Sequence, residues 1–173
     1  MSNRENFDKW FADYIRSLAR DPNAGFLLTM VSFPLLERYL RQHTNAVPKS
    51  PSFIKGLLKL FPELQSDAVA QSFWTIYRHG LLHNVTMSRE SHGLTLDSPR
   101  AVEVQADGKV WLNPVLFAER VVATIDRDFE TFERGQPLST VNVYGIAPGP
   151  HGSPSSYVGT GLPPSPGTGS KII

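Results

Sequence analysis

A chain of 173 residues, 40% of them hydrophobic, is long enough for one domain with a core of its own. It contains no cysteine, which excludes a disulfide framework, a thiol nucleophile and cysteine-ligated zinc or iron–sulfur centres. A net charge of +1 argues against a generic nucleic-acid coat protein, which carries a large basic excess.

The opening residues, Met1 to Asp8, are charged and lack the apolar core of a signal peptide. The longest apolar block, Gly25 to Leu36, is too short to span a bilayer and is broken by Thr29, Ser32 and Pro34. A cytoplasmic protein without membrane association is expected. Asn3 or Asn6 can cap a first helix running to about Arg20, with Phe7, Trp10, Phe11, Tyr14, Ile15 and Leu18 at the three-and-four spacing of one buried stripe. Asp21-Pro22 stops it. Asn23 can cap a second helix, Ala24 to His43, burying Phe26, Leu27, Met30, Val31, Leu35, Leu36, Tyr39 and Leu40. Pro34 lacks a donor, so this helix kinks there or restarts after Ser32. After a proline-containing loop, a short third helix from about Ser52 to Leu60 buries Phe53, Ile54, Leu57 and Leu58. Ser66 or Asp67 caps a fourth, with Val69, Phe73, Ile76, Tyr77, Gly80 and Leu81 as its stripe and Asn84 near its end.

Residues 86–100 read as polar and irregular. A β-hairpin follows at about 101–112, in which a three-residue loop with Gly108 in the left-handed conformation sets Val104 opposite Val110 and Val102 opposite Leu112. Asn113-Pro114 opens a last helix through about Arg134, with Phe117, Val121, Ile125, Phe129 and Phe132 inward, and Gly135 closes it. From Gly145 to Lys171 there are seven Gly and six Pro, a mixture unable to bury enough apolar surface to offset its ordering entropy. The expected fold is therefore all-α: a helical bundle of about five helices over residues 1–135, with a small β-hairpin before the last helix. Residues 136–173 are expected to be a disordered tail.

The chemistry concentrates in the fourth helix, at Phe73-Trp-Thr-Ile-Tyr-Arg-His-Gly-Leu-Leu-His-Asn84. Between Arg38 and Arg89 there are seven Lys or Arg against two acids, so the surroundings are basic, whereas residues 101–135 carry seven acids against four basic residues. Histidine suits proton transfer near neutrality, and the planar fork of arginine suits phosphate. Arg78 and His83 combine both, separated by four residues, with His79 directly after the arginine. The same spacing recurs at Arg38 and His43, but Arg38 is followed by Tyr39.

The first of these matches resembles the Arg-x-x-x-x-His motif of the HEPN superfamily of helical ribonucleases and nucleotide-binding domains, in which Asn, Asp or His follows the arginine. The resemblance is specific over about twelve residues and architectural over residues 3–135. It implies an HEPN-like bundle, a homodimer joined through the motif helix, and a metal-independent endoribonuclease acting as a toxin or in defence, with RNA as substrate. Arg78 and His83 of both protomers would face a phosphate, and His79 would orient them or contact phosphate. Products would be a 2′,3′-cyclic phosphate and a free 5′-hydroxyl. No cofactor or metal is implied; an antitoxin or neighbouring gene product is a further expected partner.

Geometry adds a constraint, because residues five apart on an α-helix lie about 140° apart around its axis. Three other readings stand beside the nuclease. One is a non-catalytic HEPN-like module that binds nucleotide, RNA or a protein partner, and another is a plain helical interaction domain in which Arg78 and His83 pair with carboxylates and helix-end carbonyls. The third is a metal site on His79 and His83, with His92, His43 or Asp97 as third ligand. Trp10, on its helix's core stripe, is expected to be buried; Trp74 and Trp111 are expected to be more open to a partner.

Overall fold

A computed structural model of the chain describes residues 2–84, 92–135 and 138; at 79, 81–84 and 92 it describes the backbone alone. The tail expected beyond residue 135 lies outside the described residues except for Leu138, which is buried against the core.

The fold is mainly helical with a small three-stranded sheet. Helix α1 (Asn3–Phe7) runs through a π-helical turn, Asp8–Ala12, into α2 (Asp13–Leu18). The cap is Ser2, earlier than expected: its hydroxyl accepts from Glu5 N while its own amide donates to Glu5 Oε2 at 2.7 Å, a reciprocal capping box. The wide turn delays everything after it by about a residue, so Phe7, Ala12 and Ile15 form the buried stripe. Tyr14, expected on that stripe, is 65% exposed.

The central helix α3 (Gly25–Thr44) begins after Ala24, with no side-chain cap from Asn23, and continues through Pro34 without restarting. It buries Leu28 and Phe33 early and Leu35, Leu36, Tyr39 and Leu40 late, while Leu27 is 54% exposed. Asn45, in the left-handed conformation, ends it. Helix α4 (Pro51–Leu60) is capped by Ser50 and followed by a single 3₁₀ turn, Pro62–Leu64. Ser66 caps α5 (Asp67–Phe73) as expected, but the helix then changes character: residues Trp74–Asn84 are π-helical.

The hairpin has the expected register. Strands β2 (Val102–Val104) and β3 (Val110–Leu112) are antiparallel with Val102 opposite Leu112 and Val104 opposite Val110, and Gly108 has φ +80°. The segment read as irregular contributes a further strand, β1 (His92–Leu94), parallel to β3, so the order is β1-β3-β2. Gly93 pairs with Trp111 in this ladder, and a Cβ at Gly93 would lie 2.5 Å from the Trp111 ring. Only glycine leaves space for that ring. The last helix is interrupted: α6 (Pro114–Arg127) and α7 (Phe129–Glu133) are separated by Asp128, whose φ of −132° and ψ of 52° leave the helical region.

Asn113 joins sheet and helix. Its Oδ1 accepts from Val115 N and Leu116 N, capping α6, and its Nδ2 donates to Ser98 O at 2.8 Å and Leu96 O at 3.3 Å. Asn113→Ala is expected to destabilise the protein by about 2–3 kcal/mol, a lost cap plus carbonyls left without a donor in a buried place. Asn113→Asp, which retains the cap, should cost less; urea denaturation compares the two.

The core is a stack of aromatic rings around Phe33. Its ring centroid lies 4.8 Å from Phe117, 5.6 Å from Phe73, 5.7 Å from Trp74 and 6.1 Å from Tyr77. Trp74, expected to be open to a partner, is fully buried and meets Phe53 edge to face at 4.8 Å. The motif helix is thus anchored by its first turn in the centre of the protein.

Candidate functional site

Arg78, His79 and His83 all lie on the π-helical segment Trp74–Asn84. A π-helix bonds residue i to residue i+5, so position 83 stands over position 78 on one side of the axis instead of about 140° away as in an α-helix. Positions 79 and 83 remain neighbours on that surface. The wide turn therefore removes the geometric objection to the motif at the level of the backbone.

Below the motif the segment is tied to the sheet. The hydroxyl of Tyr77 is shared between Gly93 O at 2.7 Å and Val110 O at 2.8 Å, linking the motif helix to β1 and β3. Burial pushes this phenol far above its ordinary pKa, so it remains a donor at every physiological pH.

Arg78 is three-quarters buried, and its Nε donates to Glu37 Oε2 at 2.7 Å. Glu37 belongs to α3 and has a side chain only 14% exposed; Arg41, one turn on, approaches its other oxygen at 4.0 Å. Arg38 completes the group. Its Nε donates to Phe132 O at 3.1 Å, its guanidinium lies 4.6 Å above the Phe132 ring, and burial lowers its pKa without removing its charge. These residues, with Pro34, Gln42 and Gly135, surround a cleft of about 520 Å³ between α3 and the motif helix.

The sequence shows Arg38 and Arg41 only as members of the basic stretch around the motif, and Arg38 also as half of the weaker match with His43; Glu37 has no place in that reading. The signal was there: Pro34, Glu37, Arg38, Arg41 and Gln42 recur at three- and four-residue intervals, the polar face of a helix whose other face is apolar. His43 is on a different side. It stacks on Tyr39 with centroids 5.4 Å apart, and the Tyr39 hydroxyl donates to Asp128 Oδ2 at 3.0 Å, with His43 Nδ1 3.8 Å from the same oxygen. Arg38 and His43 therefore point to separate neighbourhoods.

Burial first, then the bond to and charge of Asp128, push Tyr39 up to about 12 from 10.0. Burial opposes the charge on Asp128, but hydrogen bonds from Thr131 and Tyr39 prevail and hold its carboxyl below the ordinary value. A phenol whose folded-state pKa is raised contributes stability that is fully present below pH 10 and is lost as pH rises through about 12. Stability is expected to fall over that window, and Tyr39→Phe should flatten the fall; denaturation midpoints measured as a function of pH read it directly.

Among the described residues no cluster of three His, Asp or Glu side chains could hold a metal ion. The metal alternative on His79, His83 and His92 involves side chains outside those described. Asp97 sits elsewhere, in a hollow beside Trp111, which is 38% exposed and lies against Gly93. Trp10 is partly buried against the core. No described helix is long and apolar enough to cross a membrane. Comparisons with protein-family models, curated proteins and solved structures returned no match.

Proposed function

We propose that this chain is a metal-independent endoribonuclease of HEPN type, acting as a toxin or defence effector, with Arg78 and His83 in its site. The observation that carries the reading is the π-helical motif segment, which sets positions 78 and 83 on one side of its axis, with Arg78 beside a cleft whose described lining brings three arginines to one glutamate. π-Helical turns occur disproportionately at functional sites.

In this reading two protomers bring their motif helices together over one RNA strand. One His83 removes the proton from a ribose 2′-hydroxyl, and the freed oxygen attacks the adjacent phosphorus. The bond from phosphorus to the 5′-oxygen breaks, and the partner subunit's His83 protonates the leaving oxygen. Arg78 offsets the charge that builds on the phosphate, and His79 orients the pair. Atoms balance without a metal: the products are a 2′,3′-cyclic phosphate and a 5′-hydroxyl.

A second reading draws on the 2.7 Å bond between Arg78 and Glu37, which commits one edge of the guanidinium inside the protein. That bond favours an HEPN-like module that binds nucleotide, RNA or a protein partner without cutting. The two are separated by incubating the full chain with end-labelled RNAs in excess EDTA and identifying the new ends. Cyclic-phosphate ends produced by the wild type establish the nuclease. A folded protein that is inert on every RNA, or a strict monomer at micromolar concentration, rules out the composite site.

A further inference from the structure

The cleft beside the motif contains more positive charge than Arg78 alone provides. Along α3, Glu37, Arg38, Arg41 and Gln42 form one stripe, flanking the side that buries Leu35, Leu36, Tyr39 and Leu40. Arg78 faces the stripe from the other side of the cleft. Among the described residues that line the cavity, three guanidinium groups face one carboxylate, which lies between two of them, 2.7 Å from Arg78 and 4.0 Å from Arg41. Arg38 is fixed by its carbonyl bond and by Phe132, so it needs little reordering to receive a ligand. A volume of about 520 Å³ falls in the range of small-ligand sites and exceeds the needs of one phosphate.

We propose that this cleft binds two adjacent phosphates, with Arg38, Arg41 and Arg78 as cationic partners and Gln42 as a neutral donor. Glu37 acts as the internal competitor: its carboxylate occupies the arginines in the free protein and yields Arg41 and part of Arg78 to the ligand. The paired phosphates belong either to the diphosphate of a free nucleotide or to two successive phosphodiesters of an RNA strand. The strand source rests on the ribonuclease reading above; the nucleotide source does not.

Calorimetric titration of the full chain tests the assignment, with pyrophosphate and ADP in one arm and a short RNA lacking terminal phosphates in the other. The variants are Arg41→Gln, at a side chain 53% exposed and therefore tolerant of replacement, and Glu37→Gln. Saturable binding of either probe is expected, weakened about tenfold or more by Arg41→Gln, since a charge-assisted contact is worth roughly 1.5–3 kcal/mol. Glu37→Gln should lower stability yet bind the same probe several-fold more tightly, a gain that a purely structural glutamate would not produce. In the RNA arm the slope of log affinity against log salt should shrink by about 0.7 in Arg41→Gln. Binding in the first arm alone identifies a nucleotide; binding in the second identifies a strand. No saturable binding of any probe by the wild type, or binding by Arg41→Gln within twofold of wild type, overturns the proposal. If binding behaves as expected while EDTA-resistant cleavage is absent, the ribonuclease reading fails and the cleft assignment stands.

Discussion

His83→Ala is expected to slow RNA cleavage in excess EDTA by about 10²–10⁴-fold, the range over which a positioned acid or base accelerates proton transfer. Arg78→Ala should reduce it comparably, but the two variants should differ in stability. Removing Arg78 deprives Glu37, 14% exposed, of its 2.7 Å partner, so Arg78→Ala is expected to lower the unfolding free energy as well. Glu37→Gln combined with Arg78→Ala should recover part of that loss without restoring cleavage. Rates of cyclic-phosphate formation and urea midpoints, measured on the same preparations, separate the catalytic from the structural share. Cleavage by folded His83→Ala at the wild-type rate would remove His83 from the mechanism.

Phe33→Ala should have the largest effect on stability, about 3–5 kcal/mol, the usual loss when a fully buried aromatic ring is truncated. Domains of this kind have only about 5–15 kcal/mol in total. Phe33 contacts four rings from three segments at once: Phe73 in α5, Trp74 and Tyr77 in the motif helix, and Phe117 in α6. A cavity there would loosen the first turn of the motif helix as well as the core. Phe33→Leu, which fills much of the space, should retain most of the stability, and chemical denaturation of the two variants checks the ordering.

Much of the fold was legible in residue chemistry. The hairpin register followed from the alternation of Val102, Val104, Val110 and Leu112 together with a glycine able to take positive φ, both local properties. Ser66 and Asn113 capped where their hydrogen-bonding groups suggested. What failed was phase. In α3 the run from Phe26 to Leu36 is apolar almost all round, so spacing could not decide which side faces inward, and Leu28 and Phe33 were missed. Tyr14 and Trp74 were misplaced because an α-helical wheel was applied to chain that contains or borders π turns, which no local sequence preference announces. Strand β1 owes its existence to an edge of β3 supplied from elsewhere in the chain, and Asp128 breaks the last helix where Tyr39 holds its carboxylate. Both are tertiary effects.

The motif itself was visible, as was the chemistry its residue types allow. The cleft was not, because its cations come from two helices that are distant in sequence, and their polar stripe reads as an ordinary solvated face until α5 and its π-helical continuation are laid beside it.

The π-helical stretch also bears on how this protein can change length. An extra residue in an α-helix normally has to be expelled into a loop, but a wide turn absorbs it within the helix and rotates whatever follows by about 100° relative to what precedes. The spacing of Arg78 and His83 is thus coupled to the residue count of their segment. Removing a single residue between them would let the chain relax to the tighter helix with three residues separating the pair, keeping arginine and histidine on one face by the ordinary four-residue spacing. Removing one from the turn ahead of Arg78 would leave the pair's spacing intact but swing Arg78 away from α3. Insertions and deletions here act as rotations, and the two ends of the segment respond to them in opposite ways.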